Sequence, residues 1–246
     1  MPKIEVRCLR RTFDEHVVLD SVDLDIHEGE FLSLIGGSAT GKSLLLKLLI
    51  GLMPIDSGTI HVDGEDVTSL KEREWVRIRR KIGVMFQNSA LFDSLTVFDN
   101  VAYGLREQRL LPESEIRARV SESLHQVSLP GIEHMAPSDL SGGMRKRVAL
   151  ARAVALRPEV LFYDGPTEGL DPINVTRVNR LLARLRDEHV ITTVVVTQNM
   201  HSAFSVSDRI AFLHGGRIVT AGPPQELQAS RDERLAPFLR GARSVA

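Results

Sequence analysis

An α/β fold with a parallel sheet at its centre is predicted by three observations in the 246-residue sequence. Short apolar runs recur at FLSLI (31–35), IGVMF (82–86), VLFY (160–163), TTVVV (192–196) and IAFL (210–213), as strands buried on both faces require. Helical patterns separate most of these runs, the arrangement that returns successive strands to one sheet in parallel. KIEVRCLRRTF with VVLDSVDLDI, ahead of the first run, and TIHVDG, after the first helix, instead alternate apolar with polar residues. That alternation marks an antiparallel sheet with one wet face.

Taken in order, residues 1–88 and 158–222 form one α/β core carrying an N-terminal antiparallel β-subdomain. Residues 89–157, where strand patterns fade and Pro112, Pro130 and Pro137 punctuate helical ones, form an inserted helical subdomain. All belong to a single domain, 1–246, with a polar tail over 223–246 in which Phe238 and Leu239 are the candidates for docking. KEREWVRIRRK (71–81) carries six basic residues in eleven, but Glu72 and Glu74 lie among them. It reads as a solvated helix face that turns Trp75, Val76 and Ile78 inward, rather than as a nucleic-acid or headgroup patch.

A composition of 43% hydrophobic and 26% charged residues suits a globular chain with a real core. The formal net charge of −1 provides no bulk attraction to nucleic acid or anionic lipid, so no nucleic-acid partner is expected. The single cysteine, Cys8, precludes an internal disulfide, and MPKIEVRCLRR lacks the apolar centre of a signal peptide, so a cytoplasmic address is expected. The most apolar helical stretch, LLLKLLIGLM (44–53), contains Lys47 and is about half the ~20 residues that span a bilayer. Service to a membrane would come from the side. His61, His125 and His134 are scattered, without the spacing of a structural metal site.

GGSATGKS fits G-x-x-x-x-G-K-[ST] and lies between a buried strand and a helix start, where that pattern has a mechanism. The backbone N–H groups of Gly36, Gly37, Ser38, Ala39, Thr40 and Gly41 can wrap nucleotide phosphates. The helix N-terminus adds positive dipole, Lys42 reaches the terminal phosphates, and the Ser43 hydroxyl is suited to magnesium. Asp164, at the end of VLFY, stands where the carboxyl edge of a parallel strand faces a ligand crevice. The phosphates of a nucleotide, with Mg²⁺, are what this combination calls for. Ser141 can cap a helix that begins at Gly142 and Gly143, exposing N–H groups to an anion.

LSGGMRKRVALARA (140–153) resembles the signature of ATP-binding-cassette (ABC) ATPases, and the resemblance extends over nearly the whole chain. It implies the RecA-like P-loop NTPase fold. By that resemblance 36–43 is the Walker A motif, 161–164 Walker B, Gln87 the Q-loop glutamine and a further magnesium ligand beside Ser43 and Asp164, and Phe13 the aromatic under the adenine. Residues 169–171 correspond to the D-loop, which places Asp171 at the nucleotide. Ser141, Gly142 and Gly143 would bind the γ-phosphate held by a facing subunit, so two chains, identical or not, would clasp two nucleotides head to tail. FQNSALFDSLTVFDNVAYGLRE (86–107) resembles more narrowly the Mla or mammalian-cell-entry type, which powers phospholipid transport. An integral membrane permease is then the expected partner, with the chain peripheral on the inner face. Leu91, Phe92 and Asp93 lie either where the family seats a permease helix or in ordinary subdomain packing.

Three positions depart from the family. Ala39 stands where glycine is usual; if that position needs positive φ, alanine costs about 1–2 kcal/mol. The glutamate that follows the Walker B aspartate is Gly165, and the histidine that contacts the γ-phosphate is Gln198. A positioned general base is worth about 10²–10⁴-fold and a preorganised donor about 10²–10³-fold, so binding with little hydrolysis is expected. Glu168, past Pro166, would need the loop to rearrange before standing in. Two other accounts fit the same residues: a nucleotide-gated regulatory or scaffold subunit without turnover, and laboratory substitutions that trap the bound state.

Overall fold

A computed structural model describes residues 1–109 and 111–243. The central sheet is built from β3 (Phe31–Ile35), β6 (Ile82–Met85), β7 (Val160–Asp164), β8 (Thr192–Val196), β9 (Arg209–His214) and β10 (Arg217–Gly222), in the order β10-β9-β3-β8-β7-β6. All neighbours pair in parallel except β10, which runs antiparallel to β9 along the edge. Every residue of β3, β7 and β8 is buried, as expected of strands with helices on both faces. All five predicted strands are present. β10 has no counterpart in the sequence reading, because RIVTAG lacks a buried run. It is created by the two-residue turn Gly215–Gly216, whose φ values of 57° and 75° fit a tight hairpin.

The second sheet, ordered β2-β1-β4-β5, is antiparallel and comprises β1 (Pro2–Phe13), β2 (His16–His27), β4 (Ser57–Val62) and β5 (Glu65–Asp66). Its inward residues, among them Leu19, Val22, Leu24 and Ile26, pack with α1 (Lys42–Leu49) and one face of the central sheet. Helix α2 (Glu72–Arg79) buries Trp75 and Ile78 in this core, but Val76 is 48% exposed and corrects the expectation that it faces inward. A stripe of i and i+3 suffices for so short a helix. The basic residues of this stretch are partly committed: Arg77 pairs with Glu65, and Arg79 pairs with Glu72 while donating to the carbonyls of Ile50 and Gly51.

Between β6 and β7 lie α3 (Val97–Gln108), α4 (Glu113–Gln126) and α5 (Gly142–Val154), which pack a second core against the opposite sheet face. Asn100 is buried; it accepts from the amide of Phe92 and donates to the carbonyls of Phe92, Leu95 and Thr96, fixing the loop before α3. Phe92 itself is 43% exposed and stacks on Tyr103, whereas Leu91 packs against the core. Helices α6 (Pro172–His189) and α7 (Met200–Val206) complete the outer layer. In the tail, α8 (Pro224–Ala229) and α9 (Ala236–Arg243) deliver Leu227, Phe238 and Leu239 to a third core around Ile210 and Phe212. The predicted docking of Phe238 and Leu239 is therefore onto β9. Among the described residues no helix is long and apolar enough to cross a membrane.

Candidate functional site

The loop from β3 to α1 closes because two glycines stand where no side chain fits. A Cβ on Gly36 would lie 2.3 Å from the Leu213 carbonyl oxygen; Gly41, at φ 98°, caps α1, and its Cβ would lie 2.8 Å from Leu19 Cδ2. Ala39 has φ 59°. Positive φ is therefore required there, and the left-handed penalty of about 1–2 kcal/mol applies. Lys42 is buried, and its ammonium donates to the carbonyls of Gly36 at 3.0 Å and Gly37, with Thr40 Oγ1 at 3.4 Å. Burial pulls its pKa down, while the carboxylates of Asp164 and Glu168 oppose that shift. The Ser43 hydroxyl donates to Asp164 Oδ1 at 2.9 Å, joining the start of α1 to the end of β7.

Around this loop opens a cavity of about 550 Å³ whose lining runs from Ser38 through Ser43 and includes Phe13, Gln87, Asp164 and Gln198. Phe13 is 38% exposed, with the Arg11 guanidinium 4.8 Å from its ring centre. Gln198 lies across from the cradle, its Oε1 accepting from Ser38 Oγ at 3.5 Å. Gly36 and Gly37 are not among the lining residues, and their carbonyls hold the lysine. The Ser43 hydroxyl and the Asp164 carboxylate meet in this cavity, and the Gln87 amide lines it too; their oxygens are the donor chemistry that suits a hard divalent cation.

The turn after β7 overturns one expectation. Gly165 has φ 61°, its amide donates to the Val196 carbonyl at 2.9 Å, and its carbonyl accepts from the Glu168 amide at 3.2 Å. That i to i+3 bond, with Pro166 at the second position, is a β-turn, and it folds residue 168 back over residue 165. A Cβ built on Gly165 would lie 2.8 Å from Glu168 Cδ and 2.9 Å from its Oε2. Glu168 lines the cavity and accepts a hydrogen bond from Gln87 Nε2 at 2.5 Å. No rearrangement is needed to bring this carboxylate to the site. Lys146 of α5, which the sequence reading did not single out, fastens the turn by donating to the carbonyls of Gly165 and Glu168. Its pKa is lowered by burial, against the pull of Glu168.

Ser141, Gly142 and Gly143 are not among the residues lining this cavity, and neither is Asp171. Ser141 caps α5 by accepting from the Met144 amide, as predicted. Asp171 caps α6 through the amides of Ile173 and Asn174. A Cβ on Gly143 would be 3.6 Å from the Asn174 side chain, so the start of α5 and the start of α6 adjoin. The residues predicted to bind a facing subunit's phosphate therefore lie outside the cavity of their own chain. Among the described residues no cluster of His, Cys, Asp and Glu suited to a metal occurs.

The family profile described as "ABC transporter" matches residues 19–168. The chain is 40% identical over 98% of its length to the "Probable ribonucleotide transport ATP-binding protein mkl" of Mycobacterium leprae, covering 69% of that protein. It is 37% identical over 97% of its length to the intermembrane phospholipid transport system ATP-binding protein MlaF of Haemophilus influenzae, covering 90% of it. MlaF of Escherichia coli K12 is 36% identical, with 97% and 88% covered. Among solved structures, the dimeric bacterial ABC transporter cassette MJ0796 superposes with a TM-score of 0.84 at 33% identity, with 90% of this chain and 98% of that one covered. The structure of cbiO1 from Clostridium perfringens, part of the ABC transporter complex cbiONQ, gives 0.86 at 29% identity, with 94% and 92% covered.

Proposed function

The chain belongs to the ABC transporter family, and on that premise we propose that it is the ATP-binding subunit of a lipid transporter of the MlaF kind, working with an integral membrane permease at the inner face of the membrane. The observation that carries the nucleotide part is the cradle itself: buried Lys42 at its centre, and Ser43 joined to Asp164 at the strand end. Ser43, Asp164 and Gln87 would hold Mg²⁺, which when bound offsets the phosphate charge. Phe13 supports the base, and the loop amides with the N-terminus of α1 hold the phosphates. Because the signature residues Ser141–Gly143 do not line the cavity of their own chain, the reading requires a second cassette, of the same or another sequence, facing it head to tail. The dimeric structure of the MJ0796 cassette supports pairing of two cassettes.

The lipid part rests on the phospholipid transport relatives, which this chain matches over 90% of their length in the Haemophilus case, and on the 86–107 segment. Hydrolysis is slowed relative to a cassette with the usual pair, because residue 165 carries no carboxylate of its own and the Gln198 amide can donate a hydrogen bond but carries no charge. Titration calorimetry of the purified chain with Mg-ATP, with light scattering to follow dimerisation, tests the nucleotide reading. Saturable heat in the parent that Lys42→Ala abolishes is the expected result, and a parent that takes up no Mg-ATP refutes it.

A further inference from the structure

The departure at residue 165 is paired with another three residues on. At the φ of 61° that this turn gives Gly165 any side chain is strained, and a Cβ there would meet the carboxyl group of Glu168. Glu168 Cδ lies 2.8 Å from the position of a residue-165 Cβ. Within a glutamate, Cβ and the carboxyl carbon are separated by two C–C bonds, about 2.5 Å. The carboxyl group reached by the chain through residue 168 therefore lies at about the distance from residue 165 at which a glutamate there would carry its own. The surroundings also differ from those of a solvated surface acid. Glu168 lines the same cavity as Lys42, Ser43 and Asp164, receives Gln87 Nε2, and rises from a turn whose two end carbonyls are bound by Lys146.

We infer that Glu168 is the catalytic carboxylate of this cassette, aligning the attacking water in place of the side chain that Gly165 lacks. This rests on the ATP-binding reading above and names the group through which its turnover passes. In the step, the water oxygen forms a bond to the γ-phosphorus and the bond from that phosphorus to the β,γ-bridging oxygen breaks. The water proton passes to the Glu168 carboxylate and then to solvent, and ADP and inorganic phosphate leave. Hydrolysis remains slower than in a cassette with the usual pair, since Gln198 still replaces the histidine. Without Glu168 it falls much further.

The alternative is that Glu168 only positions Gln87. Glu168→Gln separates the two, because an amide oxygen still accepts from Gln87 but cannot take a proton. Phosphate release by the full chain with Mg-ATP is expected to drop about 10²–10⁴-fold in Glu168→Gln, with unchanged binding of a fluorescent ATP analogue and a larger ATP-bound dimer fraction by light scattering. Glu168→Ala is expected to fall equally. The exchange variant Gly165→Glu/Glu168→Ala, which removes the contact with Glu168 and restores a carboxylate while keeping the backbone cost of a side chain at φ 61°, is expected to recover at least tenfold over Glu168→Ala; thermal unfolding checks that each variant folds. Rates for Glu168→Gln and Glu168→Ala within twofold of the parent overturn the inference, as does a parent that binds Mg-ATP without measurable hydrolysis. A parent that does not bind Mg-ATP refutes the underlying nucleotide reading instead, and this inference with it.

Discussion

Replacing Ala39 by glycine removes a methyl group from the phosphate loop and should nonetheless make the protein more stable. At φ 59° the alanine sits in the left-handed region, where Cβ crowds the following carbonyl at a cost of about 1–2 kcal/mol. Glycine escapes that cost but loses more chain freedom on folding, about 0.5–1 kcal/mol. Ala39 is exposed, so little packing is lost. Taken at their midpoints, the two terms leave about 0.75 kcal/mol in favour of Ala39→Gly. For a chain of this size, ~1 kcal/mol moves Tm by about 2–4 °C, so a rise of about 1–4 °C is expected in calorimetry without nucleotide. Thr40→Gly is the matched control: Thr40 is not at positive φ, and its hydroxyl donates to the Gly37 carbonyl at 3.0 Å, so its Tm should fall. Nucleotide must be absent or equal in all samples, because a ligand at 100 times its Kd alone adds about 2.7 kcal/mol. An unchanged or lower Tm for Ala39→Gly would refute the claim that the backbone at this position opposes a side chain.

Three further substitutions probe other parts of the fold. Val190 ends α6 at φ 52° while 71% exposed; a β-branched residue is least suited to that region, so Val190→Gly should raise Tm by at least as much as Ala39→Gly does. Glu30 is buried and pairs with Arg209 at 2.9 Å while accepting from the His27 amide, so Glu30→Ala should cost about 3–5 kcal/mol in denaturant unfolding by stranding a charge. For Asp63, burial raises the pKa, but hydrogen bonds from Lys3 and Lys81 outweigh it and hold the carboxyl below its ordinary 3.8. A folded pKa below the unfolded one stabilises above about pH 4 and ceases to as pH falls through the folded value. The stability gap between the parent and Asp63→Asn should therefore be constant near neutrality and shrink in acid, and a gap that widens in acid would contradict the pairing.

The parallel core was legible because burial on both faces demands apolar runs such as TTVVV, and nothing else in a folded chain of this size requires them so often. The β-subdomain was legible from the opposite signal: Leu19, Val22, Leu24 and Ile26 alternate with solvated residues along β2. β10 escaped because an edge strand need bury little, and its position follows from a Gly-Gly turn and not from its own residues. Val76 was misread because amphipathicity counts apolar residues, whereas an eight-residue helix has only enough inward positions for Trp75 and Ile78.

The cradle, Asp164 and the cap at Ser141 were equally legible, since each depends on residues adjacent in the chain. The position of Glu168 was not, although its cause is local. Its reach was judged by counting residues from Gly165, as if the backbone continued away from the strand. Pro166 fixes φ near −65° and favours the second position of a turn; Gly165 supplies a positive φ before it, and the Glu168 amide closes the loop on the Gly165 carbonyl. Those features were present in DGPTE and would have returned residue 168 to the strand end. What the sequence could not supply was Lys146, eighteen positions before Asp164, whose half-buried ammonium holds both ends of the turn. A substitution at Lys146 should therefore loosen the Glu168 carboxylate without touching the cradle, which is why separate measurements of ATP binding and phosphate release carry more information here than either alone.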